Sequence, residues 1–207
     1  MNDTRIKVCG VTQQQDVVAL GELGVDYIGF IFVEGSKRQL TAQSCANLLR
    51  HMPKTSQSVA VFMNQSLSFI QSVLDVFPAN IVQLHGNEPS EFVAQINCPV
   101  IQRIHPLDWL KGPQSNKPDN FLNHLIDPGA GNGDTFDWQS YVTELPQTQL
   151  ADTWLAGGLT PANVKQHIQL LSPSVVDVCS GVEKEKQVGI KSIVKVQELI
   201  EQVRNTD

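Results

Sequence analysis

The 207-residue chain has no basic excess, no long apolar run, no clustered cysteines and no Gly-x-Gly-x-x-Gly turn, and each absence removes a class of function. Its 15 Lys and Arg stand against 21 Asp and Glu, a formal net charge of −6, which argues against a general nucleic-acid binder or an anionic-membrane protein. No apolar run reaches the roughly 18 residues that a spanning helix requires. The opening Met1-Asn2-Asp3-Thr4 has neither the basic nor the apolar part of a targeting segment. The expected address is the cytoplasm, with the chain standing alone rather than cut from a fusion. The cysteines Cys9, Cys45, Cys98 and Cys179 form no Cys-x-x-Cys pair, and no His pair stands at helical ligand spacing. Neither a zinc site nor a redox dithiol is signalled, and no metal is expected. Cys45 and Cys98 read as small apolar fillers, whereas Cys9 and Cys179 both end strands.

What is present is a regular alternation of strands and helices. Strands are expected at 5–9, 27–32, 59–63, 81–84, 100–104, 122–127, 153–156 and 175–179. Helices are expected at 13–23, with Val17, Val18 and Leu20 on one side, and after Thr41. Another opens at Ser66, with Phe69, Ile70, Val73, Leu74 and Phe77 at helical spacing. Further helices begin near Pro89 and Ser90, over part of 106–120, weakly over 138–145, after Thr160 as N-cap with Pro161 behind it, and over 190–203. Eight β-then-α units in a chain of this length predict a closed parallel (βα)8 barrel spanning 1–207 as a single domain. An open doubly wound sheet is the alternative, weakened by the missing glycine fingerprint after the first strand.

In such a barrel the site lies at the C-terminal ends of the strands. Those positions hold Cys9, Arg38, Asn64, His85, Asp127, Gly157-Gly158 and Ser180-Gly181. Any one of them is more often a loop hydrogen-bonder than a catalyst, but an acid, a thiol, an Arg and two glycine turns on one rim form a set. The turns after strands seven and eight, Ala156-Gly157-Gly158-Leu159-Thr160-Pro161 and Cys179-Ser180-Gly181-Val182, suit a phosphate: glycines let the backbone approach an anion, and its N–H groups stabilise the charge. The thiol of Cys9 has three uses, as nucleophile, metal ligand or base. Lys7 and Cys9 share a strand face, as do Asp177 and Cys179. Because strands one and eight are neighbours in a closed barrel, Lys7 is expected to point inward below Cys9, pair with Asp177 and lower the Cys9 pKa.

Several segments together resemble phosphoribosylanthranilate isomerase. They are Lys7-Val8-Cys9-Gly10-Val11-Thr12, Gly29-Phe30-Ile31-Phe32 with Ser36-Lys37-Arg38, Val82-Gln83-Leu84-His85-Gly86-Asn87-Glu88, Thr135-Phe136-Asp137-Trp138, Leu155 to Pro161, and Val176-Asp177-Val178-Cys179-Ser180-Gly181-Val182-Glu183. They run in order along essentially the whole chain. The resemblance implies a (βα)8 barrel of tryptophan biosynthesis that converts N-(5-phosphoribosyl)anthranilate to 1-(2-carboxyphenylamino)-1-deoxyribulose 5-phosphate. This is an Amadori rearrangement by general acid and base catalysis, with no cofactor. It implies Cys9 as general base, Asp127 as general acid, Arg38 at the anthranilate carboxylate, and Gly157, Gly158, Ser180 and Gly181 at the phosphate. His85 stands between a structural role and a substrate contact. The partner is then a small phosphosugar, the chain a monomer or homodimer.

Departures from the family pattern are Cys179 where serine is common, Asn132 for threonine and Asp134 for lysine in the loop after strand six, and a poor match at Gln102-Arg103, which receives no role. Two other readings stay open: another phosphosugar barrel, which commonly needs a metal cluster or a strand-end lysine, and a catalytically silent binding barrel.

Overall fold

The computed structural model describes residues 4–112, 117–129 and 153–206. The helix expected at 138–145, the Thr135–Trp138 motif, and Asn132 and Asp134 lie outside the described residues. The strands are β1 (Arg5–Val8), β2 (Tyr27–Ile31), β3 (Gln57–Phe62), β4 (Ile81–Leu84), β5 (Val100–Ile104), β6 (Phe121–Ile126), β7 (Trp154–Leu155) and β8 (Val175–Val178). All pair in parallel in chain order, and β8 returns to β1, closing the barrel. Parallel strands need covered faces on both sides, which is why segments such as Tyr27-Ile28-Gly29-Phe30-Ile31 are apolar throughout.

Period-two alternation sorts these residues into two cores. Val8, Ile28, Phe30, Ala60, Phe62, Val82, Leu84, Val176 and Val178 face outward into the helical layer. Tyr27, Val59, Val61, Ile81, Ile101, Leu125, Trp154 and Val175 fill the barrel interior, with Tyr27 and Trp154 rings 4.6 Å apart. The helices are α1 (Gln14–Glu22), α2 (Ala42–Leu49), α3 (Leu67–Leu74), α4 (Ser90–Val93), α5 (Pro106–Trp109), α6 (Val164–Leu171) and α7 (Ile193–Arg204). Thr41 and Ser66 cap α2 and α3 through their hydroxyls, accepting from the Ser44 and Phe69 N–H groups as the sequence predicts. No helix among the described residues is long and apolar enough to cross a membrane.

Four local expectations are corrected. Val18 is 37% exposed, because α1 turns Asp16, Val17 and Leu20 inward, the carboxylate of Asp16 accepting from the Lys191 N–H at 2.9 Å. Phe69 is 40% exposed at the edge of the α3 stripe. Helix α6 is capped by Asn163 rather than Thr160: the Asn163 side chain accepts from the Thr160 N–H and donates to the Gly158 carbonyl, so residues 160–163 form a turn first. The closing helix starts at Ile193, after an antiparallel hairpin of β9 (Glu183–Lys184) and β10 (Gln187–Lys191). Gln187–Lys191 pair with β9 through Gly189 at φ +84°, so the chain is still extended at Ile190, and the Ser192 hydroxyl caps the helix.

Candidate active site

The C-terminal strand ends open into one cavity of about 560 Å³. Cys9, Arg38, His85, Asp127, Gly157, Gly158, Asp177, Ser180 and Gly181 all line it, as does Cys179. Of the strand-end and supporting residues named from sequence, all of them among the described residues, Lys7 and Asn64 lie outside this lining. Lys7 sits one inward position below Cys9.

Register explains the floor of the cavity. Lys7 pairs with Asp177 across β1 and β8, both side chains point inward, and the ammonium meets Asp177 Oδ2 at 2.7 Å with Lys7 fully buried. Burial alone depresses an ammonium pKa; here Asp177 and Cys9 outweigh it and hold Lys7 above its ordinary value. Burial pushes the Asp177 carboxyl up to about 7, with the Lys7 ammonium at this distance pulling the other way. Gly29 on β2 provides the room: a Cβ there would lie 2.8 Å from Cys9 Sγ and 3.2 Å from Lys7 Nζ.

The expected lowering of Cys9 is not what results. Contact with the Cys179 thiol and then burial hold Cys9 well above the ordinary thiol range, and Lys7, already neutralised by Asp177, only moderates this. Cys179 is the thiol that is lowered, to about 7, by its contact with Cys9 and by Lys191 and Arg38, against burial.

Arg38 is held by a residue that strand-end reasoning misses. Its Nε donates to Glu183 Oε1 at 2.7 Å and its Nη2 to Oε2 at 2.8 Å, a bidentate clamp. Lys191, also fully buried, donates to Glu183 Oε1 at 3.2 Å and to the Cys179 carbonyl at 3.1 Å. Against burial, Arg38 and Lys191 keep the Glu183 carboxyl below its usual range. A guanidinium has five N–H donors; the clamp uses two, leaving the outer edge of Arg38 for a planar anion at the mouth.

On the other side of the mouth Asp127 follows β6, its N–H bonded to the Ile104 carbonyl and its Oδ1 accepting from the Gly129 N–H at 2.9 Å. Burial is the chief cause that raises its carboxyl to about 6, with the Gly129 bond pulling the other way. His85 Nε2 stands 3.5 Å from Asp127 Oδ2. Burial, Arg103 and Lys7 push the His85 imidazole down to about 4, so it is neutral at physiological pH, its Nδ1 3.1 Å from the Gln83 amide. Arg103 alternates with the buried Ile101 on β5, and the Leu84–Gln102 register places it beside His85; its Nε is buried with no hydrogen-bond partner. Its cation keeps His85 neutral and opposes the rise in Asp127.

The two glycine turns touch. Gly157 adopts φ +93° with the Pro128 ring against its missing side chain, and a Cβ on Gly181 would collide with the Leu159 carbonyl. The N–H groups of Gly158, Ser180 and Gly181 donate to no group among the described residues. They leave a set of backbone dipoles suited to a phosphate. Among the described residues no three His, Cys, Asp or Glu side chains converge as metal ligands do.

A family model described as N-(5'phosphoribosyl)anthranilate (PRA) isomerase matches residues 6–202. The N-(5'-phosphoribosyl)anthranilate isomerase of Streptococcus gordonii is 36% identical over 203 residues, covering 98% of this chain and 98% of its own length. A solved phosphoribosyl anthranilate isomerase of Thermotoga maritima has a TM-score of 0.81 at 29% identity, over 97% of this chain and 98% of that one. Another was solved in complex with reduced 1-(o-carboxyphenylamino)-1-deoxyribulose 5-phosphate; it has a TM-score of 0.79 at 29% identity, with the same coverage. With barrel, rim and full-length similarity in agreement, the chain belongs to the N-(5'-phosphoribosyl)anthranilate isomerase family of tryptophan biosynthesis.

Proposed function

We propose that this chain isomerises N-(5-phosphoribosyl)anthranilate by an acid-base Amadori rearrangement, with Asp127 as the acid and Cys9 as the group that meets the sugar proton. The observation that carries the reading is a buried carboxyl raised to about 6 and a thiol facing one cavity that also holds paired glycine turns and an open guanidinium edge. The turns take the phosphate and Arg38 takes the anthranilate carboxylate, spanning the ribose between acid and thiol. Asp127 delivers its proton to the ring oxygen while the anilino nitrogen pushes the ring open to a Schiff base. Cys9 then removes the proton on sugar carbon 2, and the resulting enolamine tautomerises to the ketone. His85, neutral beside Asp127, serves as a hydrogen-bonding wall rather than a second charge. The cytoplasm and a cofactor-free reaction belong to the same reading.

The test is direct: purified protein is mixed with phosphoribosylanthranilate and its consumption followed optically. Turnover is expected, and folded protein without turnover overturns the reading. Within it, Arg38→Ala raises KM by about ten- to a hundredfold, the range of hydrogen bonds to a charged group, with kcat little changed. Lys191 still neutralises Glu183 in that variant. An unchanged KM removes Arg38 from the substrate carboxylate.

A further inference from the structure

We propose that Cys9 and Cys179 act as one proton-sharing thiol pair, in which Cys179 stores the negative charge and Cys9 passes it to the substrate. The inference rests on the reading above that Cys9 meets the sugar proton. It concerns a residue that departs from the serine common at this position in the family.

The two cysteines continue the β1–β8 register one step past Val8–Val178, and the Cys9 N–H donates to the Val178 carbonyl at 2.8 Å. Both therefore point into the mouth, and both line the same cavity. Gly10 shapes the pocket that holds them. A Cβ on it would lie 3.0 Å from Cys179 Sγ and 2.5 Å from Arg38 Cδ, so the second thiol and the Arg38 stem rest on bare backbone.

Charge decides which sulfur is negative. Five ionised groups face the pair: Lys7 and Asp177 from the floor, Arg38 from the loop after β2, and Glu183 and Lys191 from the hairpin. Lys7 is cancelled by Asp177, and Arg38 by Glu183. Lys191 also contacts Glu183 at 3.2 Å, so one carboxylate serves two cations and the hairpin side keeps one net positive charge, with Lys191 bonded to the Cys179 carbonyl. The surplus positive charge is thus on the Cys179 side, and Cys9 borders a neutral ion pair. Two interacting thiols lose their protons in two steps that belong to the pair: the first is eased because the remaining S–H supports the thiolate, the second is opposed. As pH rises through about 7 the pair comes to hold one proton, on Cys9, and one charge, on Cys179.

The step balances. As carbon 2 gives its proton to the Cys9 sulfur, the proton already on Cys9 moves to Cys179, and the C–H electron pair becomes the double bond of the enolamine. A serine at 179 can donate to a Cys9 thiolate but cannot store the charge.

The test measures alkylation of each cysteine by iodoacetamide across about pH 5 to 10, read by peptide mass spectrometry in the full chain. Steady-state pH profiles run alongside. In the unsubstituted protein Cys179 is modified first, with a midpoint near 7, and Cys9 only under alkaline conditions. In Cys9→Ala the Cys179 midpoint moves up by about one unit or more. In Cys179→Ser the acid limb of kcat/KM moves up, lowering the value at pH 7 about tenfold while KM holds and the alkaline rate recovers; Cys179→Ala moves it further. A Cys179 midpoint indifferent to Cys9→Ala overturns the pair, as does an acid limb unmoved by both Cys179 substitutions. Should Cys9→Ala fail to fold by thermal melting, Cys9→Val serves, since it also has no donor for the Cys179 thiolate, with an upward shift still expected and its absence equally decisive. The alkylation arm needs no turnover, so loss of the pair and loss of the isomerase reading are separate results.

Discussion

Asp127→Asn leaves a folded protein whose kcat is about 10²- to 10⁴-fold lower, the usual worth of a positioned acid. The amide keeps the size of the carboxyl and can still accept from the Gly129 N–H, so the change removes one thing, the proton delivered to the ribose ring oxygen. Cys9→Ala belongs in the same range on the other half of the reaction. With the carboxyl raised to about 6, the protonated acid thins out tenfold per unit above that pH. The alkaline limb of the kcat/KM profile therefore reports Asp127 and disappears in Asp127→Asn.

Stability runs the opposite way. An Asp whose folded pKa lies above its unfolded value of 3.8 helps folding at low pH, and that help is lost as pH rises through the folded value. Above about pH 6 the native chain carries a poorly solvated carboxylate that the amide avoids. Asp127→Asn is then more stable than the unsubstituted protein at neutral pH by about 1–3 kcal/mol, and the difference fades toward pH 4. Denaturant unfolding at both pH values checks it. An inactive variant that is also destabilised at neutral pH shows that Asp127 supports the fold rather than the chemistry.

The contrast between Asp127 and Glu183 shows what a sequence reading can reach. Asp127, Cys9 and Asp177 follow from two facts that alternation makes visible: where a strand ends, and which of its residues share a face. The same parity places Lys7 against Asp177 before any coordinates exist, because closure makes the first and eighth strands neighbours. Glu183 and Lys191 have no such signal. They belong to a short hairpin between the last barrel strand and the last helix, where the sequence reads as a helix from Ile190. Its pairing with Glu183–Lys184 and the bond from the Lys191 N–H to Asp16, far away in sequence, hold that stretch as a strand. Arg103 is hidden differently: its alternation with Ile101 is legible, but its effect on His85 needs the β4–β5 register. The sign of the Cys9 shift fails for a related reason. The contact with Cys179 and burial outweigh the attraction of Lys7, and strand parity gives no weight to either.

The pairing of Lys7 with Asp177 carries the largest stability effect expected here. Lys7→Met leaves Asp177 in the barrel interior with no cation, its Oδ1 already without a hydrogen-bond partner. Breaking one side of a buried pair costs about 3–5 kcal/mol, since the remaining charge is stranded. For a chain of this size this lowers Tm by roughly 6–20 °C. Asp177→Leu strands the ammonium and belongs in the same range. The double variant Lys7→Met with Asp177→Leu removes both charges, and a well-packed apolar replacement for a buried ion pair is often neutral, so it regains much of the loss. Because the folded-state pKa of Lys7 lies above its unfolded value, its own contribution is present below about pH 10 and falls above it, whereas Asp177, raised to about 7, loses its contribution as pH rises from about 4 to 7; urea unfolding at about pH 5 and at neutral pH separates the two. The same variant moves the Cys9 alkylation curve to higher pH, because Lys7 is the cation nearest that thiol on its own strand. Single substitutions that leave unfolding unchanged show the pair contributes nothing to stability, and an unmoved Cys9 curve in Lys7→Met confines Lys7 to holding the barrel floor.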